Sequence, residues 1–219
     1  MRYFFKAMNI EKYITLAKEK IPSPLDIFAN KALALADPAH NKDHAIRVLA
    51  NALYIIEHEK INLDTVSEWM LPFIMIGHDF MDHKLVEAKL TLSIDEIYEF
   101  YHKHLGRFMV SDVTHIQQNS SWSKRKSSIP LPGHRDNLRL LLQDSDWLDA
   151  IGEIGLQRCI DFTKFRHPDE KEDFIYKKVI QHAHEKLLQI PSNLNFDVSK
   201  KLAFELIKPI QKFVTDYEK

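Results

Sequence analysis

DHAIRVLANALYIIEH, residues 43–58, decides the fold class: Ile46, Leu49, Ala50 and Leu53, with Tyr54 or Ile56, recur at three- and four-residue intervals and trace one helical face. Polar residues flank that face. His40, His44, Arg47 and Asn51 fall four, three and four residues apart, a stripe able to line a cleft. The same spacing recurs in most other windows, whereas strand-type alternation between turn signals is hard to find. Glycine is scarce, with five in 219 residues. The chain reads as all-α.

Working outward, a second helical segment is expected within 64–80, with Pro72 either opening its final part or kinking it. Ser93-Ile94-Asp95-Glu96 matches a capping box and starts a helix that should run from Ile94 to about His104, with Gly106 ending it. Further helices are expected at about 107–119, 135–150, 152–165, 169–189 and 198–217, the last bent by Pro209. Residues 120–133, SSWSKRKSSIPLPG, are a loop by composition. No internal repeat or linker divides the chain. We therefore expect one helical domain over 1–219, with its motifs at about 37–160 and C-terminal helices at 169–217 packed on it.

Composition excludes several classes. Hydrophobic residues make up 45%, enough for a real core, which rules out a disordered chain. Thirty basic side chains face 31 acidic ones, so no global field draws in duplex nucleic acid or an anionic membrane. The single cysteine, Cys159, excludes an intramolecular disulfide and a cysteine-rich zinc site. The longest apolar run, Met70–Ile76, is far short of the ~20 residues of a membrane span, and early charges at Lys6, Glu11 and Lys12 argue against a signal peptide. A cytoplasmic protein is expected.

His78-Asp79 closes the apolar segment PFIMIG. With 12 His and 17 Asp in the chain, about one such pair arises by chance, so its placement carries the information. A carboxylate at the end of a core segment pays for its desolvation unless it is paired, hydrogen-bonded or bound to a cation. Asp144, Asp146 and Asp149 crowd among Leu141, Leu142, Trp147, Leu148 and Ile151 and pose the same demand for a cation or several donors.

Three stretches, DPAHNKDHAIRVLANA (37–52), FIMIGHDFMDHK (73–84) and LLQDSDWLDAIGEIGLQR (141–158), resemble in order the signature of the HD-domain metal-dependent phosphohydrolases. The likeness is to the small nucleotide-hydrolysing members. It implies an all-α, single-domain helical bundle of the HD-domain type and places metal ligands at His44, His78, Asp79 and Asp146, with Asp144 the alternative for the last. Asp82, and second to it Glu87, take the position of a carboxylate that assists catalysis. NSSWSKRK (119–126) stands where many relatives carry histidine, and His102, His104 and His115 do not match the two-metal spacing, so one divalent ion per chain is expected.

Two imidazoles and two carboxylates form a mixed nitrogen and oxygen shell that suits Mn²⁺, Fe²⁺, Co²⁺, Ni²⁺ or Mg²⁺. Such a site supports hydrolysis of a phosphate ester or anhydride. Lys84, Arg47, Lys124 and Arg158 are the candidate substrate-binding cations; for both arginines, bracing the aspartates is the competing role. His40 is expected as a capping or surface residue, with a contact to substrate or to a metal ligand as the alternative. The activities expected are nucleoside triphosphate pyrophosphohydrolase or nucleotide phosphatase. The alternatives are a cyclic- or signalling-nucleotide phosphodiesterase and an inactive metal- or nucleotide-binding module.

Overall fold

The computed structural model describes residues 10–89 and 91–218, with the side chains of His83, Lys84 and His134 outside that description. Among the described residues every regular element is helical, as expected. The α-helices are α1 (Ile10–Lys20), α2 (Ser23–Ala32), α3 (Lys42–Glu59), α4 (Thr65–Ile76), α5 (His83–Glu87), α6 (Ile94–Leu105), α7 (Arg107–Gln118), α8 (Asp136–Asp149), α9 (Gly152–Arg166), α10 (Glu172–Glu185), α11 (Asp197–Leu206) and α12 (Lys208–Tyr217). Short 3₁₀ turns occupy Trp122–Lys124, Gly133–Arg135 and Leu187–Asn193.

Local chemistry sets the boundaries. Asn41 caps α3, its Oδ1 accepting from the His44 amide at 3.0 Å, and Lys60 closes the helix in the left-handed region at φ 55°. Asp64 caps α4 through the Ser67 amide at 2.7 Å. The capping box is present: Glu96 N donates to Ser93 Oγ at 3.3 Å and Ser93 N to Glu96 Oε2 at 3.1 Å. Pro72 sits inside α4, and the helix runs past it to Ile76. The segment 198–217 is two helices, because the chain breaks at Ile207 and Pro209 takes a place in the first turn of α12, where its missing amide costs no helical hydrogen bond. The segment read as 169–189 shortens to α10 plus a 3₁₀ turn. Helices α1, α2 and α5 had no counterpart in the sequence reading.

Helix α3 is the axis of the molecule. It is buried along Ala45, Ile46, Val48, Leu49, Ala52 and Ile55 and packs chiefly on α8, α1 and α4. Asn51 donates from Nδ2 to the Ser145 carbonyl at 3.0 Å, a buried link that fixes the register of α3 against α8. One continuous hydrophobic core reaches from Tyr13 to Val214 and joins the motif-bearing part to the C-terminal helices. No helix among the described residues is long and apolar enough to cross a membrane.

Candidate metal centre

Helix α4 delivers its apolar face to the core and then stops at Gly77, whose amide returns to the Phe73 carbonyl at 3.1 Å. A β-carbon on Gly77 would lie 2.1 Å from Tyr101 Oη and 2.8 Å from the Phe73 carbonyl, so the turn accepts only glycine. Gln117, buried on α7, donates to the Phe73 carbonyl at 3.1 Å and to Tyr101 Oη at 3.0 Å. The turn carrying His78 and Asp79 is therefore held from behind by two side chains that are themselves buried.

His44, from the first turn of α3, meets this turn. Its Nε2 lies 3.1 Å from His78 Nε2 and 3.6 Å from Asp79 Oδ2, while His78 Nε2 lies 3.1 Å from the same carboxylate oxygen. Ligands about 2.1 Å from an octahedral ion stand about 3.0 Å apart when adjacent and about 4.2 Å when opposite. The three separations fall in that window, and these three residues could hold a metal ion. From α8, Asp146 Oδ1 faces both imidazoles, at 3.5 Å from His44 Nε2 and 3.8 Å from His78 Nε2. Asp144 turns the other way: it is fully buried and accepts from Asn195 N at 2.9 Å and Phe196 N at 2.9 Å, pinning the chain ahead of α11.

Both imidazoles are oriented through their Nδ1 atoms. His78 Nδ1 donates to the Met75 carbonyl at 2.8 Å, and His44 Nδ1 to Asp149 Oδ2 at 2.7 Å. These bonds leave each Nε2 lone pair aimed at the shared point. Two such nitrogens 3.1 Å apart require a proton or a cation between them. Burial and the nearby Arg158 charge push the His44 pKa down, which keeps its imidazole neutral. At His78 burial also opposes charge, but the Asp79 and Asp146 carboxylates prevail and push its pKa up. Asp79 is held well below the usual carboxylate range; burial works against this, but His78, then His40 and His44, outweigh it.

Arg47 and Arg158, expected also against substrate, are turned onto Asp149. Arg47 Nε and Nη2 donate to its two oxygens at 2.7 Å and 3.1 Å, and Arg158 Nη1 to Oδ2 at 2.5 Å. Arg158 Nη2 also donates to the Ala39 carbonyl. The geometry favours bracing over phosphate contact, because a guanidinium fork committed to a buried carboxylate is no longer presented to a ligand. Asp82 lies three residues beyond Asp79, and its Oδ1 accepts from the Leu85 amide at 3.4 Å, at the start of α5. Glu87 and Lys124 are exposed, and no described contact joins either to the cluster. The Lys84 side chain lies outside the described residues. Sequence reasoning missed Asp37, Tyr101 and Gln117; only Asp37 had a signal, its three-residue spacing to His40 in DPAH.

Fold and site together define an all-α protein in which two segments, the start of α3 and the turn after α4, bring two imidazoles and a carboxylate to one point able to take a metal ion. The chain belongs to the family of the uncharacterized protein YpgQ of Bacillus subtilis, with which it is 30% identical over 191 residues, 82% of this chain and 83% of that one. No family model matches the sequence. Among solved structures, a Lactobacillus plantarum protein superposes with a TM-score of 0.64 at 20% identity, covering 95% of this chain and 94% of that one. The structure of YpgQ in complex with ADP also superposes with a TM-score of 0.64, at 24% identity over 88% of this chain and 95% of that one.

Proposed function

We propose that this protein is a metal-dependent phosphohydrolase of the HD-domain type acting on a small phosphorylated substrate, a nucleotide, as a pyrophosphohydrolase or phosphatase. The observation that carries the reading is the convergence of His44 Nε2, His78 Nε2 and Asp79 Oδ2 within 3.6 Å of one another, with Asp146 facing both imidazoles. His44, His78, Asp79 and Asp146 would hold one divalent ion, Mn²⁺, Fe²⁺, Co²⁺, Ni²⁺ or Mg²⁺. Such an ion, when bound, supplies a more acidic water and neutralises charge on a phosphoryl oxygen. The nucleotide is favoured by the family relative whose crystal structure contains ADP.

The chain's own residues do the rest. Asp149 and the Met75 carbonyl keep both histidines in the tautomer that offers Nε2. Asp82, whose amide donates to the Asp79 carbonyl at 3.0 Å, takes the role of orienting or deprotonating the attacking water, with Glu87 the second candidate. Lys84 and Lys124 are the cations left to meet substrate phosphate, since both arginines serve Asp149. The lone cysteine suits a reducing cytoplasm.

The test is metal analysis of the purified protein, followed by a screen of nucleoside tri-, di- and monophosphates with Mn²⁺, Co²⁺, Ni²⁺ and Mg²⁺. Pyrophosphate plus monophosphate, or inorganic phosphate plus nucleoside, would identify the two leading activities. A linear nucleotide released from a cyclic one would instead make it a phosphodiesterase. Tight nucleotide binding without turnover under every metal would overturn the enzymatic reading and leave a binding module.

A further inference from the structure

Gly77 ends α4 with its amide on the Phe73 carbonyl, and the Ile74 and Met75 carbonyls that follow are of the kind a helix end leaves without amides of their own. Side chains fill them. Gln117, in the last turn of α7, points Nε2 at the Phe73 carbonyl at 3.1 Å, the Ile74 carbonyl at 3.4 Å and Tyr101 Oη at 3.0 Å. His78 Nδ1 takes the Met75 carbonyl at 2.8 Å. The carbonyl that selects the tautomer of a metal ligand is thus the neighbour of the two that Gln117 holds.

The Gln117 amide can face only one way. Turned over, its Oε1 would be set against two carbonyl oxygens with no proton between them, and at 7% exposure water does not screen that clash. With Nε2 donating to it, the Tyr101 hydroxyl is left to donate in turn, to the Gly77 carbonyl at 3.5 Å or to Gln117 Oε1 at 3.4 Å. Tyr101 is fully buried, and its Oη fills the space beside Gly77 that a β-carbon would take.

His78 and Asp79 both ride on this turn, whereas His44 comes from α3. The bonds to Asp149 and to the Met75 carbonyl aim the two rings, but they do not fix how far the turn stands from α3. A working constellation has to be held within about 0.5 Å of its place by the groups behind it. We infer that Gln117, with Tyr101 beside it, is the positioning residue of the metal centre: it fixes where α4 ends and so where His78 Nε2 and Asp79 Oδ2 stand relative to His44 Nε2. This rests on the metal-ion part of the reading above and on no particular substrate. Neither side chain is a ligand; both act through the backbone of the turn.

The experiment titrates Mn²⁺ into the full-length protein by electron paramagnetic resonance, reading affinity and the line shape of the bound ion, with urea unfolding alongside. Gln117→Met keeps the side-chain length and removes the donor, and Tyr101→Phe removes one hydroxyl from an unchanged ring. Ile210→Ala, in the core on α12, is the control for lost stability alone. The expected result is a fall in Mn²⁺ affinity of about 10–100-fold with an altered line shape in Gln117→Met, and a smaller fall in Tyr101→Phe. Ile210→Ala should keep the wild-type affinity and line shape despite its lower stability. Wild-type affinity and line shape in Gln117→Met, or the same losses in Ile210→Ala, would overturn the assignment. Should Gln117→Met not fold, Tyr101→Phe decides, and wild-type Mn²⁺ binding there would overturn it equally. A wild type that binds no Mn²⁺ would instead bring down the metal-ion reading itself.

Discussion

Removing the Asp149 carboxylate should cost both stability and metal affinity, and the structure gives the size of each loss. Asp149 is 7% exposed and receives His44 Nδ1 at 2.7 Å, Arg47 at 2.7 Å and 3.1 Å, and Arg158 at 2.5 Å. Asp149→Ala leaves two partly buried guanidinium groups and an imidazole N–H without their acceptor, a break that costs about 3–5 kcal/mol when one member of a buried pair is removed. With an unfolding entropy of roughly 2.1 cal/mol/K per residue, a chain of 219 residues loses about 7–11 °C of Tm. The penalty is complete at pH 7. Burial opposes ionisation, but His44, Arg158 and Arg47 hold the folded carboxyl well below its ordinary 3.8, so its contribution is present above that value and is lost as pH falls toward the folded one. His44 would also lose the bond that selects its tautomer, which lowers metal affinity by about 10–100-fold. Urea unfolding and Mn²⁺ titration measure the two losses separately. A destabilised Asp149→Ala variant with wild-type Mn²⁺ affinity would show that the carboxylate braces the fold without orienting His44. A variant as stable as wild type would refute the burial argument altogether.

Asp79→Ala should abolish metal binding while leaving the helical circular dichroism in place; retention of a full metal complement would defeat the proposed centre. Asp144→Ala removes the acceptor for Asn195 N, Asn195 Nδ2 and Phe196 N and should destabilise by at least about 2 kcal/mol with unchanged Mn²⁺ affinity. Loss of Mn²⁺ affinity there would mean that Asp144, not Asp146, serves the ion. Because the folded His40 pKa is raised, its contribution to stability is present below the ordinary value of 6.5 and fades as pH rises through the folded one. Wild type and His40→Asn should therefore differ most in denaturation midpoint on the acid side and converge in base; a constant gap across pH would refute the coupling.

The fold class was legible because helical periodicity is written densely in residues 43–58 and 136–149, and the Ser93 capping box is a local signal that needs no tertiary information. Helices α1 and α2 carry a helical spacing of their own, Ile10, Tyr13, Ile14 and Ala17 in the first and Leu25, Phe28, Ala29 and Ala32 in the second, so their signal was present in the sequence and went unused. Helix α1 buries Tyr13 and Ala17 of that stripe and packs on α3. His44, His78, Asp79 and Asp146 could be picked out by order and spacing. The partners that orient them could not, because Asp149 meets residues 102 and 105 positions away, and no sequence window spans that distance. Gln117 and Tyr101 were invisible for a related reason. On their own helices they are ordinary side chains, and they acquire a role only where the carbonyls ending α4 arrive beside them.

The charges around the cluster are sorted into two shells with different purposes. On the far side of His44, one carboxylate, Asp149, faces two guanidinium groups, so the outer shell carries an excess positive charge that keeps His44 neutral instead of drawing a second proton onto it. On the near side, His78 sees Asp79 at 3.1 Å and Asp146 at 3.8 Å, and the paired negative charge draws a proton to it. Two neutral imidazoles and two carboxylates sum to a charge of −2, which a single proton on His78 only halves. A divalent cation cancels it in full and satisfies both Nε2 lone pairs at once. A monovalent ion would leave one carboxylate uncompensated beside buried apolar surface, so the charge count favours a divalent ion at the proposed centre.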